Sequence, residues 1–250
     1  MELFSLSVFA VAIPAVIFAG VSKGGFGSGA AFASATILAL VLPPAQALGI
    51  MLPLLMLIDA VSLPAYWRRW SWPDARLLLL GGVPGTVLGA VFFAWASPDV
   101  IRLLIGAIAL AFVAWQLAQA RGLVRLGRAF GPGVGLGSGV GIGFTSFVSH
   151  AGGPLAAVYL LGRGLNKTAY QATTVLVFWA LNLLKSGFYA GMGIFSQQTL
   201  LLGLALAPFA VLGTWMGIRL HHLVPERAFF ALTYVLLTIT GAKLVFDALG

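Results

Sequence analysis

Between 75 and 96 the chain reads Ala75-Arg76-Leu77-Leu78-Leu79-Leu80-Gly81-Gly82-Val83-Pro84-Gly85-Thr86-Val87-Leu88-Gly89-Ala90-Val91-Phe92-Phe93-Ala94-Trp95-Ala96, with no charge after Arg76. Wound as a helix, about twenty such residues cross the hydrocarbon of a bilayer. Further apolar runs fall near 4–21, 26–42, 46–66, 100–119, 130–148, 151–162, 169–190, 198–219 and 227–247. Of 250 residues 60% are hydrophobic and 8% charged, against roughly a quarter charged in a soluble domain. Lipid is therefore the solvent, and backbone groups in lipid must be satisfied within helices. The expected fold class is an all-α polytopic membrane protein with about 8–10 membrane segments. The runs at 26–42, 130–148 and 151–162 are short or rich in glycine. They read as broken or re-entrant helices near 22–29 and 146–154.

The same composition excludes other classes. With no cysteine, disulfides and thiolate metal sites are absent. Three histidines and six acids give no expected metal site and no expected cofactor. The net charge of +8 lies mostly in short loops and forms no basic face, so no nucleic-acid partner is expected. Met1-Glu2-Leu3-Phe4 carries an acid where a signal peptide wants a base, so no cleaved leader is expected.

Basic residues set the orientation. Arg68, Arg69 and Arg76 flank one loop; Arg121, Arg125 and Arg128 fill a second; Arg163 and Lys167 mark a third; Arg219 and Arg227 bound a fourth around His221. The loop at 191–197 is uncharged. The positive-inside rule puts the four basic loops in the cytoplasm and both termini on the outer face of the inner membrane. Each half then holds one tip-forming pair and three spans, which predicts an inverted repeat. The halves are 1–120 and 130–250, joined by a cytoplasmic linker at 121–129. Pro84-Gly85-Thr86-Val87-Leu88-Gly89 is similar to Pro208-Phe209-Ala210-Val211-Leu212-Gly213, Gln46-Ala47 to Gln171-Ala172, and Ser71 to Ser196.

Two tips carry the candidate chemistry. The first reads Gly20-Val21-Ser22-Lys23-Gly24-Gly25-Phe26-Gly27-Ser28-Gly29. A lysine inside an apolar region is costly and marks function unless it snorkels to an interface. Ser22, Lys23, Gly24, Gly25, Gly27 and Ser28 together suit an anion, with amides of a following helix start as donors. The second tip reads Gly143-Phe144-Thr145-Ser146-Phe147-Val148-Ser149-His150-Ala151-Gly152-Gly153-Pro154. Thr145, Ser146, Ser149, His150, Gly152 and Gly153 are its candidate ligands, His150 donating to the anion, carrying a proton, or bonded to a neighbouring carbonyl. Neither tip is expected to carry an acidic counter-ion. The glycines at 131, 133, 135, 137, 139, 141 and 143 form two ridges at a spacing of four, suited to close helix packing. Gln46, Asp59, Gln171, Asn182 and Lys185 lie inside spans as coupling or gating candidates. Asp59 and Lys185 occupy nearly equivalent places in the two halves, where they pair, take part in proton coupling, or lie near the ends of their helices.

The first tip, with Ser149-His150-Ala151-Gly152-Gly153-Pro154 and Asn166-Lys167, resembles the sulfite exporter TauE/SafE family over nearly the whole chain. The resemblance implies transport of sulfite, organosulfonates or related small organic anions across the bacterial inner membrane. The expected function is a non-enzymatic secondary transporter working by alternating access around a midplane site, with protons as a candidate coupling ion and oligomeric state open. The alternatives are a passive anion channel, a membrane assembly partner, or an intramembrane serine hydrolase using Ser138 or Ser28 with His150.

Overall fold

A computed structural model describes residues 3–26, 30–123, 130–220 and 226–250. Ten α-helices follow in order: α1 (Leu6–Val21), α2 (Ala33–Leu38), α3 (Pro44–Ser62), α4 (Trp72–Trp95), α5 (Pro98–Ala120), α6 (Pro132–Ser149), α7 (Gly152–Gly162), α8 (Lys167–Gly191), α9 (Gln197–Leu220) and α10 (Glu226–Leu249). No strand occurs among the described residues. The chain is an all-α polytopic membrane protein. Among the described residues, six segments are long and apolar enough to cross a bilayer: Leu6–Phe26, Pro44–Tyr66, Trp72–Trp95, Pro98–Ala120, Gln197–Arg219 and Phe230–Leu249. Helix α8 is as long, about 37 Å, but polar side chains interrupt its apolar surface.

Local chemistry fixes many boundaries. Ser5 caps α1, Ser97 caps α5 and Asn166 caps α8, each accepting a backbone N–H three residues on. Proline occupies the first turn of α3, α4, α5 and α6, where its missing N–H costs nothing. Both expected breaks occur. Helix α1 runs into a π turn at Ser22–Phe26. Helix α6 ends at His150, whose φ of 55° is left-handed, before α7 starts. The segment expected at 26–42 is shorter than its apolar run, since α2 holds only six residues.

Glycines set the packing. Helix α1 lies on α9, α4 on α6, α5 on α10, and α3 on both α8 and α9. A Cβ on Gly20 would sit 2.6 Å from Thr214 N, and one on Gly139 would sit 2.6 Å from Leu78 O. These backbones touch, as small-residue crossings in membranes allow. Along α6, Gly139 and Gly143 meet the backbone of α4, whereas Gly135 and Gly141 meet the side chains of Tyr159 and Leu155, and Gly133 and Gly137 have nothing within 4 Å.

Candidate functional site

The centre of the bundle is built from α8 outward. Gln171, Phe178, Asn182, Lys185 and Tyr189 recur at steps of seven, four, three and four, so they share one face of that helix. All are buried. This stripe is about 27 Å long, close to the thickness of the hydrocarbon. It is the signal that sequence reading passed over, because it treated α8's polar residues singly and left out Phe178 and Tyr189.

Lys23 meets the stripe from the end of α1. Its Nζ lies 2.6 Å from Asp59 Oδ1 and 2.7 Å from Asp59 Oδ2. It also sits 5.6 Å over the Phe178 ring. Asp59 is wholly buried on α3, and Asn182 Nδ2 donates to its Oδ2 at 3.3 Å. Two expectations are corrected here. An acid does stand beside the first tip. Lys23 also follows the C-terminal end of α1 rather than a helix start, so the helix dipole there favours the cation itself. The carbonyls of the π turn take side-chain donors: Gln171 Nε2 donates to Lys23 O, and Tyr66 Oη donates to Gly24 O at 3.0 Å.

Lys185 forms the second polar group. Its Nζ donates to Ser146 O at 2.8 Å and Ser146 Oγ at 3.3 Å, and lies 2.7 Å from His150 Nδ1. His150 Nε2 lies 3.1 Å from the carbonyl oxygen of Leu48 on α3. Asp59 and Lys185 both pair, but not with each other: Asp59 bonds Lys23, and Lys185 bonds His150. Lys23 and Asp59 are 36 residues apart, His150 and Lys185 35.

A cavity of about 10 Å³ lies between these groups, lined by Lys23, Ser146, His150, Gly153, Phe178 and Asn182, with Ala31 and Leu55. It holds about one water molecule. A second, larger cavity of about 300 Å³, a vestibule, has Gly25, Phe26, Gln116, Lys167, Tyr170 and Gln171 among its walls. It lies against the start of α8 at Lys167 and against α7 at Ala157 and Leu161. At the other end of the α8 stripe is a cluster of aromatic rings. Phe93 and Phe147 are 5.9 Å apart, Phe147 and Tyr189 5.1 Å, and Tyr189 and Phe195 5.9 Å.

Other candidates fall outside this group. Thr145 and Ser149 donate their hydroxyls to their own helix, at Gly141 O and Thr145 O. Gly152 packs beneath Phe178. Ser22 is buried in the π turn. Gln46 sits in the first turn of α3, about 20 Å from Asp59 along that helix. Gly27 and Ser28 lie outside the described residues. Ser138 stands about 18 Å before His150 along α6, and both His150 nitrogens are engaged, so these two residues form no nucleophile–base pair.

A separate network ties down α7. Asp74 accepts from Ser71 Oγ at 2.6 Å, Arg163 Nε at 2.9 Å and Tyr159 Oη at 3.0 Å, while Arg163 Nη1 donates to Phe130 O at 3.2 Å. Hydrogen bonding to Asp74 raises the Arg163 guanidinium further above neutrality, so it is a fixed charge.

No curated protein and no solved structure matches this chain. The family model for Sulfite exporter TauE/SafE matches residues 12–244. A membrane bundle with charged groups buried at its centre and a match over nearly its full length belongs to the TauE/SafE family, whose members are membrane transporters of sulfite and related anions.

Proposed function

We propose that this chain is a secondary transporter that carries a small anion, such as sulfite, an organosulfonate or a related organic anion, across the inner membrane by alternating access. The observation that carries this reading is the buried centre, where two amines, Lys23 and Lys185, stand against one carboxylate, Asp59, which pairs only with Lys23. Charges in a membrane interior are retained for function, and a surplus amine suits an anionic guest. Asn182, Ser146 and the start of α7 at Gly153 line the same cavity and add donors. Gln171, which donates to Lys23 O, and Gly25 line the vestibule. A cavity of about 10 Å³ is too small for sulfite, so binding goes with movement of the tips.

The basic loops favour a cytoplasmic vestibule with both termini outside. The two domains of this reading are the inverted halves 1–120 and 130–250, with the linker 121–129. Reciprocal packing supports them: α1 lies on α9 as α6 lies on α4, and α5 lies on α10. The paired separations of 36 and 35 residues support them too. Purified protein in proteoliposomes tests the function. Sulfite, isethionate, sulfoacetate and short carboxylates are offered in turn, and one of them accumulates against its gradient. Flux that only runs down the gradient makes the protein a channel, and no flux of any of them refutes anion transport.

A further inference from the structure

We propose that the Lys185–His150 pair is a proton-binding site and that the protein moves its anion together with a proton; this rests on the transporter reading above. The geometry counts the protons. The carbonyl of Leu48 only accepts, so His150 Nε2, 3.1 Å away, carries a hydrogen. That leaves His150 Nδ1 and Lys185 Nζ facing each other at 2.7 Å. Only one proton fits between them. The pair therefore exists as ammonium with neutral imidazole, or as amine with imidazolium, and holds at most one positive charge.

The neighbours make that charge the net charge of the centre. Lys23 and Asp59 neutralise each other at 2.6 and 2.7 Å, and Asn182, one turn before Lys185, occupies Asp59 Oδ2. The groups facing the pair are Ser146 from α6, the Leu48 carbonyl from α3, the Lys23–Asp59 pair from α1 and α3, and Tyr189 on α8 itself. The Tyr189 ring is 5.7 Å from Lys185 Nζ, and its hydroxyl donates to Phe147 O. None of these supplies a carboxylate in contact with the pair. With the proton present, the centre is cationic and a bound monoanion brings it to neutrality. Without the proton, the same anion is unbalanced beside Asp59. Proton and anion thus strengthen each other's binding, each by the same factor. The two ligands cross in the same direction, and the proton is released when the anion leaves.

Isethionate tests this, because a sulfonate stays ionised and cannot itself carry the proton. Ethanesulfonate, which also stays ionised and carries no proton, is the second probe. Anion uptake into proteoliposomes is measured alongside the pH of a trapped dye. The expected result is about one proton per anion in the parent chain. His150→Gln keeps a donor for Leu48 and an acceptor for Lys185 but cannot share the proton. Its ratio of protons to anions falls severalfold, read per anion moved, so a slower variant still counts. If the variant binds but does not move anion, affinity against pH is read instead. The parent's affinity falls about tenfold per pH unit once the pair deprotonates, and the variant's midpoint shifts. Anion movement without protons in the parent, or an unchanged ratio and midpoint in His150→Gln, overturns the proposal and leaves anion transport standing. If neither probe moves through folded protein, the transporter reading itself has failed and this proposal falls with it.

Discussion

Lys23 and Asp59 form a closed ion pair inside the bundle, with both carboxylate oxygens within 2.7 Å of one ammonium. Such a pair adds little net stability, but breaking it strands a charge at a cost of about 3–5 kcal/mol. Lys23→Met alone therefore lowers the unfolding temperature in detergent. Lys23→Met with Asp59→Leu recovers most of that loss. If the double variant is as unstable as the two losses summed, the pair is not the coupling element.

The double variant also isolates Lys23's part in binding. Its affinity for whichever anion the parent binds is expected to fall by about tenfold or more, the effect of losing one charged hydrogen bond. Affinity equal to the parent's in well-folded protein would remove Lys23 from the site.

Helix α6 offers an internal control for packing. Gly139→Ala drives a methyl to 2.6 Å from Leu78 O and is expected to cost about 1–3 kcal/mol. Gly137→Ala, two residues earlier, meets nothing within 4 Å and should stay within about 1 kcal/mol of the parent. Equal losses in thermal unfolding would mean that α4 and α6 do not cross this closely.

The Asp74 network predicts an order of severity. Tyr159→Phe removes one neutral donor and costs about 1 kcal/mol. Asp74→Ala leaves the buried Tyr159 hydroxyl and the Arg163 side chain without their shared acceptor, and costs more. The measurement is thermal unfolding of both variants, and a reversed order would assign α7's anchoring elsewhere.

The orientation is testable because the chain has no cysteine. Gln198→Cys, exposed at the start of α9, is expected to react with an impermeant maleimide in intact cells. Leu123→Cys, exposed after α5, reacts only after the membrane is opened. The opposite pattern would invert the topology.

Much of this architecture was legible in the sequence. Apolar runs located the helices, and Gly152-Gly153-Pro154 located the break after α6, since both depend on local chain chemistry. The partners of the buried charges were not legible. Asp59 and Lys185 stand out as equivalents, yet which residue each meets depends on how α1 and α6 dock, and that register is set by Gly20 on α9 and Gly139 on α4. The length of α2 was overestimated because hydropathy does not register where a short segment turns back. The role of Leu48 was hidden because it acts through its backbone.

The π turn at Ser22–Phe26 bears on how a membrane helix can absorb a change in chain length. An i→i+5 turn takes up about one residue more than an α turn for a similar axial advance. The pair reached through it spans 36 residues, and the pair reached through the ordinary end of α6 spans 35. A segment confined by bilayer thickness can thus accept an insertion without growing longer, provided that the widened ring finds new donors. Gln171 and Tyr66, which cap the carbonyls of Lys23 and Gly24, supply them.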